Sequence, residues 1–462
     1  MELTQLDENI RALRSELADL TIRLINIKSE QGAPLPGAPF GIGPRQVLDE
    51  MLQLGKEYGF VCKDYGVGVV SLALEDRQPD LGIWLHGDVV PAGDGWNFEP
   101  YNAVEYKGCI IGRGATDNKG QMAALFLLLR LFKDLNIPLK YNPALYIGSN
   151  EETGMADMTG IPGNEDAKGF LHAAKPPRLS LVPDGSFPVG YAGKGAITLK
   201  LKSRSPLHGC VLTAGQAADP GLITAAFEVP QEAAQLPGCN VCGNRITAWT
   251  PPQHGAHPNP NGNMITVLSK AILESGLAHP EDLYIWEFLQ TVSSDIDGIC
   301  LGIQAVSPDM KPLTVFSKQI DDVNGCPELT LNIRYPDSIT AAEITARVSD
   351  AAACHGFILT GSNPGTPAYR MDRNAPVVEL LRSVANSVIG KDAAPFTLSG
   401  ATYANRLPNA YVFGTNGCLP PVDFPKGRGS AHGVDESVSL DRLERAMRIY
   451  ARTLLKLNEI TW

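Results

Sequence analysis

The chain has 462 residues, 44% of them hydrophobic and 19% charged, with a formal net charge of -11. Such a composition belongs to a folded globular protein, and the length exceeds one ordinary core, so two domains are expected. The acidic balance argues against nucleic acid or an anionic membrane as the main partner, because neither would be attracted to it.

No apolar run is long enough to span a bilayer. Residues 1–30 are charged throughout and lack the apolar centre of a signal peptide, while their leucines and isoleucines recur at helical spacing. An amphipathic helix and a cytoplasmic protein are expected. A helical pattern follows from Pro44 to about Tyr58, then strand-like runs at Gly66 to Leu74 and Gly82 to Leu85, a helical pattern from Lys119 to about Leu135, and strand-like runs at Ala144 to Ile147 and Leu179 to Val182. Alternation of this kind predicts an α/β sheet with helices on both faces. From about residue 190 to 380 the chain is richer in Pro, Gly, Thr and Ala, with strand-like runs at Ala196 to Leu201 and Leu329 to Tyr335. The α/β pattern resumes in a helix from about Val377 to Ile389 and closes in one from Leu440 to about Leu457. The expected division is a first domain built from 1–190 and 381–462, interrupted by an inserted α+β domain at 191–380.

Nine cysteines in a chain of this length suggest no disulfide framework. Only Cys239-x-x-Cys242 has motif spacing, and a tetrahedral zinc site would need two further ligands. His254 and His257 are near in sequence, but prolines make that stretch a loop of uncertain path; a pair of reduced thiols is the preferred expectation.

The segment Leu85-His86-Gly87-Asp88 ends a buried run with two groups that are costly to bury alone. If the strand persists, residues i and i+2 share a face, so the Asp88 carboxylate can hold one ring nitrogen of His86 and aim the other at a cation. Taken alone, a satisfied His–Asp pair is the simpler account. Three more segments repeat the pattern: Gly112-Arg113-Gly114-Ala115-Thr116-Asp117-Asn118 before an apolar helix, Asn150-Glu151-Glu152-Thr153-Gly154 after one strand, and Pro183-Asp184-Gly185 after another. Each has an ordinary alternative, in turn an N-cap, solvated glutamates and a turn residue. Together they set acidic or imidazole donors at the carboxyl ends of strands, where open α/β sheets form their active sites. His432, in Ser430-Ala431-His432-Gly433, lies in a loop before the last helix. One zinc needs three protein ligands. The five donors His86, Asp117, Glu152, Asp184 and His432 fit two divalent ions with one carboxylate bridging, which leaves Glu151 beside them as a general base. Zinc suits this donor set, and manganese or cobalt would also bind.

The segments HGDVVPAGDGW, GRGATDNKGQMAA, NEETG, PDG and SAHGVDE, in this order, resemble the motifs of the dinuclear zinc metallopeptidase family of aminoacylase, acetylornithine deacetylase, succinyl-diaminopimelate desuccinylase and carnosinase. The middle domain and Asn332-Ile333-Arg334-Tyr335-Pro336 are most similar to its PepV-type dipeptidase branch. The resemblance implies a zinc-exopeptidase-like domain with a mixed, largely parallel sheet, plus an inserted lid, and hydrolysis of dipeptides or short peptides that carry a free C-terminal carboxylate. It implies that His86 and Asp184 bind one metal, Glu152 and His432 the other, that Asp117 bridges with a cis bond to Asn118, that Asp88 orients His86 and that Glu151 is the base. It further implies that His257 in the lid stabilises the oxyanion, that Arg334 grips the carboxylate, and that Ser399 and Gly400 lie in a loop near it. Asp219 aligns with a lid asparagine of the family that faces the oxyanion; a carboxylate there would oppose the developing charge. An N-acyl-amino-acid deacylase with the same machinery is the alternative activity; a degenerate scaffold and a dinuclear phosphoesterase are more remote ones. A lid of about 190 residues is the size of a full domain, so a monomer is expected, with a homodimer as the alternative.

Overall fold

The computed structural model describes residues 2–161, 168–216, 223–251, 253, 255, 258, 259, 262–363, 365–415 and 427–462. Contacts along the chain divide it into two compact units, one of residues 1–192, 371–397 and 402–462, the other of 193–370 and 398–401. No helix among the described residues is long and apolar enough to cross a membrane.

The first unit is organised by a mixed sheet in which the strands follow the order Val61–Asp64, Val69–Ala73, Pro143–Gly148, Leu81–His86, Leu179–Val182, Ala410–Val412. The first two pairings are antiparallel, and the next three are parallel. The central strands read as near-continuous apolar runs because both of their faces are covered, and all of Leu81–His86 and Pro143–Gly148 is buried. In register, His86 lies opposite Gly148 and Ile83 opposite both Leu145 and Leu181. Parallel pairing in that register brings the carboxyl ends of three strands to one edge of the sheet. Beneath that edge Trp84 stacks on Tyr146 with centroids 4.3 Å apart, and Phe170 meets Trp84 edge-on at 5.0 Å. Such pairs add about 0.5–1.5 kcal/mol each beyond their buried area, which stiffens the strands that carry the site.

The helix Gly120–Asp134 is buried all round except at Lys133 and Asp134, as a helix apolar on every face must be, and it packs against Arg14–Ile25 and Leu440–Lys456. The N-terminal amphipathic pattern forms two helices rather than one, Leu3–Ala12 and Arg14–Ile25. They meet at Leu13, whose amide turns back to the Ile10 carbonyl at 3.1 Å. Leu6, Ile10, Leu17 and Leu24 keep the buried stripe continuous across that break.

The second unit contains a five-stranded sheet (Gly215–Gln216, Thr314–Val323, Cys326–Tyr335, Gly195–Ser203, Phe357–Asn363) and a four-stranded one (Val211–Thr213, Ile223–Glu228, Arg245–Thr250, Cys239–Cys242). Helices Met264–Glu274, Leu283–Ser294 and Ala341–Cys354 pack with them around a core that includes Trp286, Phe227, Leu331 and Ile333. Cys239 and Cys242 are free thiols on one strand, three positions apart and hence on opposite faces.

Candidate metal centre

Each acidic or imidazole group at the sheet edge follows directly from a strand or a tied loop. His86 is the last residue of its strand, 1% exposed. Its Nδ1 lies 3.0 Å from the main-chain carbonyl oxygen of Asp88 and 3.7 Å from that residue's Oδ1. A carbonyl only accepts, so Nδ1 carries a proton, while Nε2 faces Asp117. The ring is therefore oriented by the Asp88 main chain. Asp88 lies past the end of the strand, and its carboxylate reaches the ring only at that ion-pair distance. The same carboxylate also accepts the amides of Glu151 (3.1 Å) and Glu152 (3.0 Å).

Asp117 stands between the two histidines. Its Oδ1 is 2.9 Å from His86 Nε2, and its Oδ2 is 3.2 Å from His432 Nε2. Glu152 Oε1 is 3.1 Å from the same His432 nitrogen. Two groups of donor atoms result, His86–Asp117–Asp184 and Asp117–Glu152–His432, with all ligand atoms within 4.8 Å of one another in each group. Asp117 belongs to both. Glu151 lies in the same buried cluster, and its Oε1 has no hydrogen-bond partner. The Asp117–Asn118 peptide is cis.

The electrostatics of this cluster fit divalent cations. Each short contact between Asp117 and an imidazole Nε2 needs a proton or a cation between the two atoms. Burial alone would lower the His86 ring, but Asp117 and Asp88 outweigh it and hold the ring well above the ordinary imidazole value. Burial likewise opposes the His432 ring, which hydrogen bonds to Asp117 and Glu152 carry up to about 11. Burial and then Asp117 push Asp184 up to about 7 and raise Glu152, while burial and then Asp184 raise Glu151 well above the carboxylate range. Against its own burial, Asp117 is held well below that range by the two histidines. Four carboxylates crowded around two imidazoles carry more negative charge than the side chains neutralise, and the mixed oxygen and nitrogen donors suit zinc, manganese or cobalt.

Residues outside the expected set hold this arrangement. Glu436 is fully buried and accepts four hydrogen bonds: at Oε1 from the amides of Thr116 (2.9 Å) and Asp117 (3.0 Å), and at Oε2 from the amide of Gly114 (3.0 Å) and Arg113 Nη1 (2.7 Å). Arg113, 1% exposed, also donates through Nη2 to the main-chain oxygen of His432 at 3.1 Å. One buried ion pair thus ties the Asp117 loop to the His432 loop. Asp157 does comparable work on the glutamates. Its Oδ2 accepts the amides of Ser149 (2.9 Å) and Asn150 (3.2 Å) and the Tyr403 hydroxyl (2.5 Å). With Asp88, it holds four consecutive amides, 149–152. Gly148 has no Cβ, and one would collide with the Tyr403 hydroxyl and the Asp157 carboxylate. Asn118 donates to the Pro183 carbonyl at 3.0 Å, joining the Asp117 loop to the turn that carries Asp184. The sequence carried little signal for these roles. Glu436 stands in the same segment as His432 and Asp157 five residues after Glu152, but their partners are main-chain amides that no spacing reveals.

Of the other expected residues, Arg334 is half-buried near the end of a strand of the second unit, opposite Thr314 and Ala196. Lys194 in that unit is lowered to about 8 by burial and then by the positive charges of Lys311 and Arg334, so these cations share a neighbourhood. Ser399 and Gly400 are half-buried in the short segment 398–401 that groups with the second unit. His257 and Asp219, like His254, lie outside the described residues.

Residues 83–456 match the model of peptidase family M20/M25/M40. "Putative dipeptidase YtjP" of Bacillus subtilis is 27% identical to this chain over 463 aligned positions, covering 94% of this chain and 95% of that protein. Among solved structures, human carnosine dipeptidase 1 superposes with a TM-score of 0.59 at 14% identity, over 99% of this chain and 100% of the other, and the Saccharomyces cerevisiae dipeptidase Dug1p with 0.57 at 14% identity, over 100% and 99%. At such identity these likenesses speak for the fold. The family match spans most of the length and takes in every strand end and loop that builds the cluster, so the chain belongs to peptidase family M20/M25/M40.

Proposed function

We propose that this chain is a metal-dependent dipeptidase that hydrolyses the peptide bond of dipeptides or short peptides with a free C-terminal carboxylate. The observation that supports it most is the geometry of Asp117, one oxygen against His86 and the other against His432, with Asp184 and Glu152 on either side. In this proposal His86 and Asp184 hold one zinc ion, Glu152 and His432 hold the second, and Asp117 serves both, with manganese or cobalt as substitutes. Bound there, two divalent ions supply Lewis acidity toward a carbonyl and lower the pKa of water toward neutrality.

The protein's own groups do the rest. Glu151, buried beside the donors and with an oxygen lacking any protein partner, takes a proton from the attacking water and returns it to the leaving amine. Asp88 fixes the backbone of Glu151 and Glu152 together, so that base and ligand keep one relative position. The role assigned to Arg334 is the substrate's carboxylate, for which a guanidinium fork is matched and which Lys194 and Lys311 favour by adding positive charge. His257 is assigned to the oxyanion, and Ser399 and Gly400 to the region of the carboxylate. Asp219, as an anion, is given no part in stabilising charge at the oxyanion. The name carried by the Bacillus subtilis relative agrees with this activity. A single chain is taken as the working unit, a homodimer being the alternative that sedimentation would reveal.

The test is a panel of free dipeptides and N-acyl amino acids, assayed on chelator-treated protein before and after zinc is restored. Dipeptide turnover that vanishes and returns with the metal is expected. Preferential cleavage of N-acyl amino acids would replace this assignment with a deacylase, and turnover indifferent to chelation would remove the metal mechanism.

A further inference from the structure

A second cluster of metal-ligating side chains lies wholly within the second unit, on the surface. His208, in the loop after strand Gly195–Ser203, His279, just before helix Leu283–Ser294, and Glu281 bring one ligand atom each within 4.8 Å of one another. All three are exposed. His208 Nε2 is 3.2 Å from Glu281 Oε2, and the rings of His208 and His279 stack with centroids 4.8 Å apart.

What distinguishes this group from a chance surface cluster is the residue behind it. Asp282 is 1% exposed and directs both carboxylate oxygens at His208, Oδ2 accepting its amide and Oδ1 its ring Nδ1, each at 2.7 Å. A buried carboxylate on one ring nitrogen fixes the tautomer, orients the ring and raises the basicity of the other nitrogen, which is how ligating histidines are supported. His279 Nδ1 accepts the Glu281 amide at 3.3 Å, which leaves its Nε2 as the donor atom. The cluster borders a hollow of about 360 Å³ lined also by Cys210, Val229 and Leu277. The donor atoms that come together are two imidazole nitrogens and one carboxylate oxygen.

We propose that His208, His279 and Glu281 form a separate binding site for a divalent transition ion of imidazole preference, with Asp282 as the supporting carboxylate. Zinc, nickel and copper are the matching ions, and three protein ligands leave exchangeable positions toward the hollow. The ion would cross-link the loop after residue 203 to the start of the helix at Leu283, and ligand binding of this kind raises stability by linkage.

The experiment counts metal on the full-length chain. Chelator-treated protein is dialysed to equilibrium against buffered free zinc, and bound zinc is measured by mass spectrometry for the parent and for His208→Ala, His279→Ala and Glu281→Gln. The parent is expected to hold one ion more per chain than either histidine variant, Glu281→Gln to bind that ion more weakly, and dipeptide turnover to be unchanged in all three. Because the result is a difference of one ion, it is read in the same way whatever the metal content of the Asp117 cluster. Thermal unfolding with and without added zinc supplies a second measurement, in which the parent gains more than the exposed His279→Ala variant. Equal zinc content in parent and variants, or a zinc-induced shift in melting temperature that survives both histidine substitutions, would overturn the site.

Discussion

The Asp117 cluster in the first unit and the His208 cluster in the second use the same residue types but differ in what surrounds them. In the first, His86 and Glu151 are buried, Asp117, Glu152, Asp184 and His432 are partly buried, and Glu436, Asp157 and Asp88 fix the main chain beneath them. In the second, three exposed side chains are backed by a single buried carboxylate. A surface cluster of this kind gains or loses an ion at little cost to the fold. In the first cluster, where negative charge exceeds what the side chains neutralise, the surrounding loops and the acidic groups form one interdependent object. The difference lies in the supporting hydrogen bonds, which make one group a site for chemistry and the other a site for binding.

The largest expected effect follows from Glu151, whose Oε1 is buried without a protein partner. Glu151→Ala should leave zinc content intact while dipeptide turnover falls ~10²–10⁴-fold, the usual contribution of a general acid–base group. The measurement is turnover together with metal analysis on the same preparation. Turnover close to the parent would remove Glu151 from that role, and joint loss of metal and activity would make it a ligand.

Next in size is the buried pair that ties the two ligand loops. Arg113→Met leaves the Glu436 carboxylate buried without its cation, which should cost about 3–5 kcal/mol in urea unfolding. His279→Ala, on the exposed cluster, should stay within about 0.5 kcal/mol when no metal is added. Because Arg113 also holds the His432 main chain and Glu436 the Asp117 amide, zinc should be lost from both positions of the first cluster together. Loss of one ion alone would show the loops to be independent.

These supporting groups mark the limit of what was legible in the sequence. The strand ends were legible because apolar runs such as Leu179–Val182 have a fixed periodicity and end where an acid appears. The parallel centre followed from the alternation of strands and helices, and the fold class stands as expected. The Asp88 geometry differed because the strand stops at His86, and where a strand stops is set by the loop's own hydrogen bonds. Glu436 was not legible because its amide partners lie about 320 residues away. Asp157 and Tyr403 meet across 246 positions for the same reason. Periodicity reports what a residue does within its own element, and acceptors for distant amides leave no periodic trace.

A smaller effect is expected in the second unit. Arg334→Lys keeps the charge but loses the planar fork, so KM for dipeptides should rise ~10-fold with kcat little changed, equivalent to about 1.4 kcal/mol. A fall in kcat with KM unchanged would assign Arg334 to the transition state instead.

The smallest effect is a change of slope. Burial outweighs the hydrogen bonds that Asp157 accepts from Tyr403 and the Ser149 and Asn150 amides, and the carboxyl is raised from 3.8 to about 7. Between these values the folded protein retains a proton that the unfolded chain has released. The Asp157 contribution to stability is therefore fully present below about pH 3.8 and is lost as the pH rises toward 7. Asp157→Asn removes the titration while keeping an acceptor oxygen for the same donors. Urea unfolding at pH 5 and pH 8 should then show a smaller loss of stability on going to the higher pH in Asp157→Asn than in the parent. An unchanged slope for Asp157→Asn would mean that its carboxylate is ionised in the folded protein across this range, and that the amides 149–152 are held by two full negative charges rather than by one.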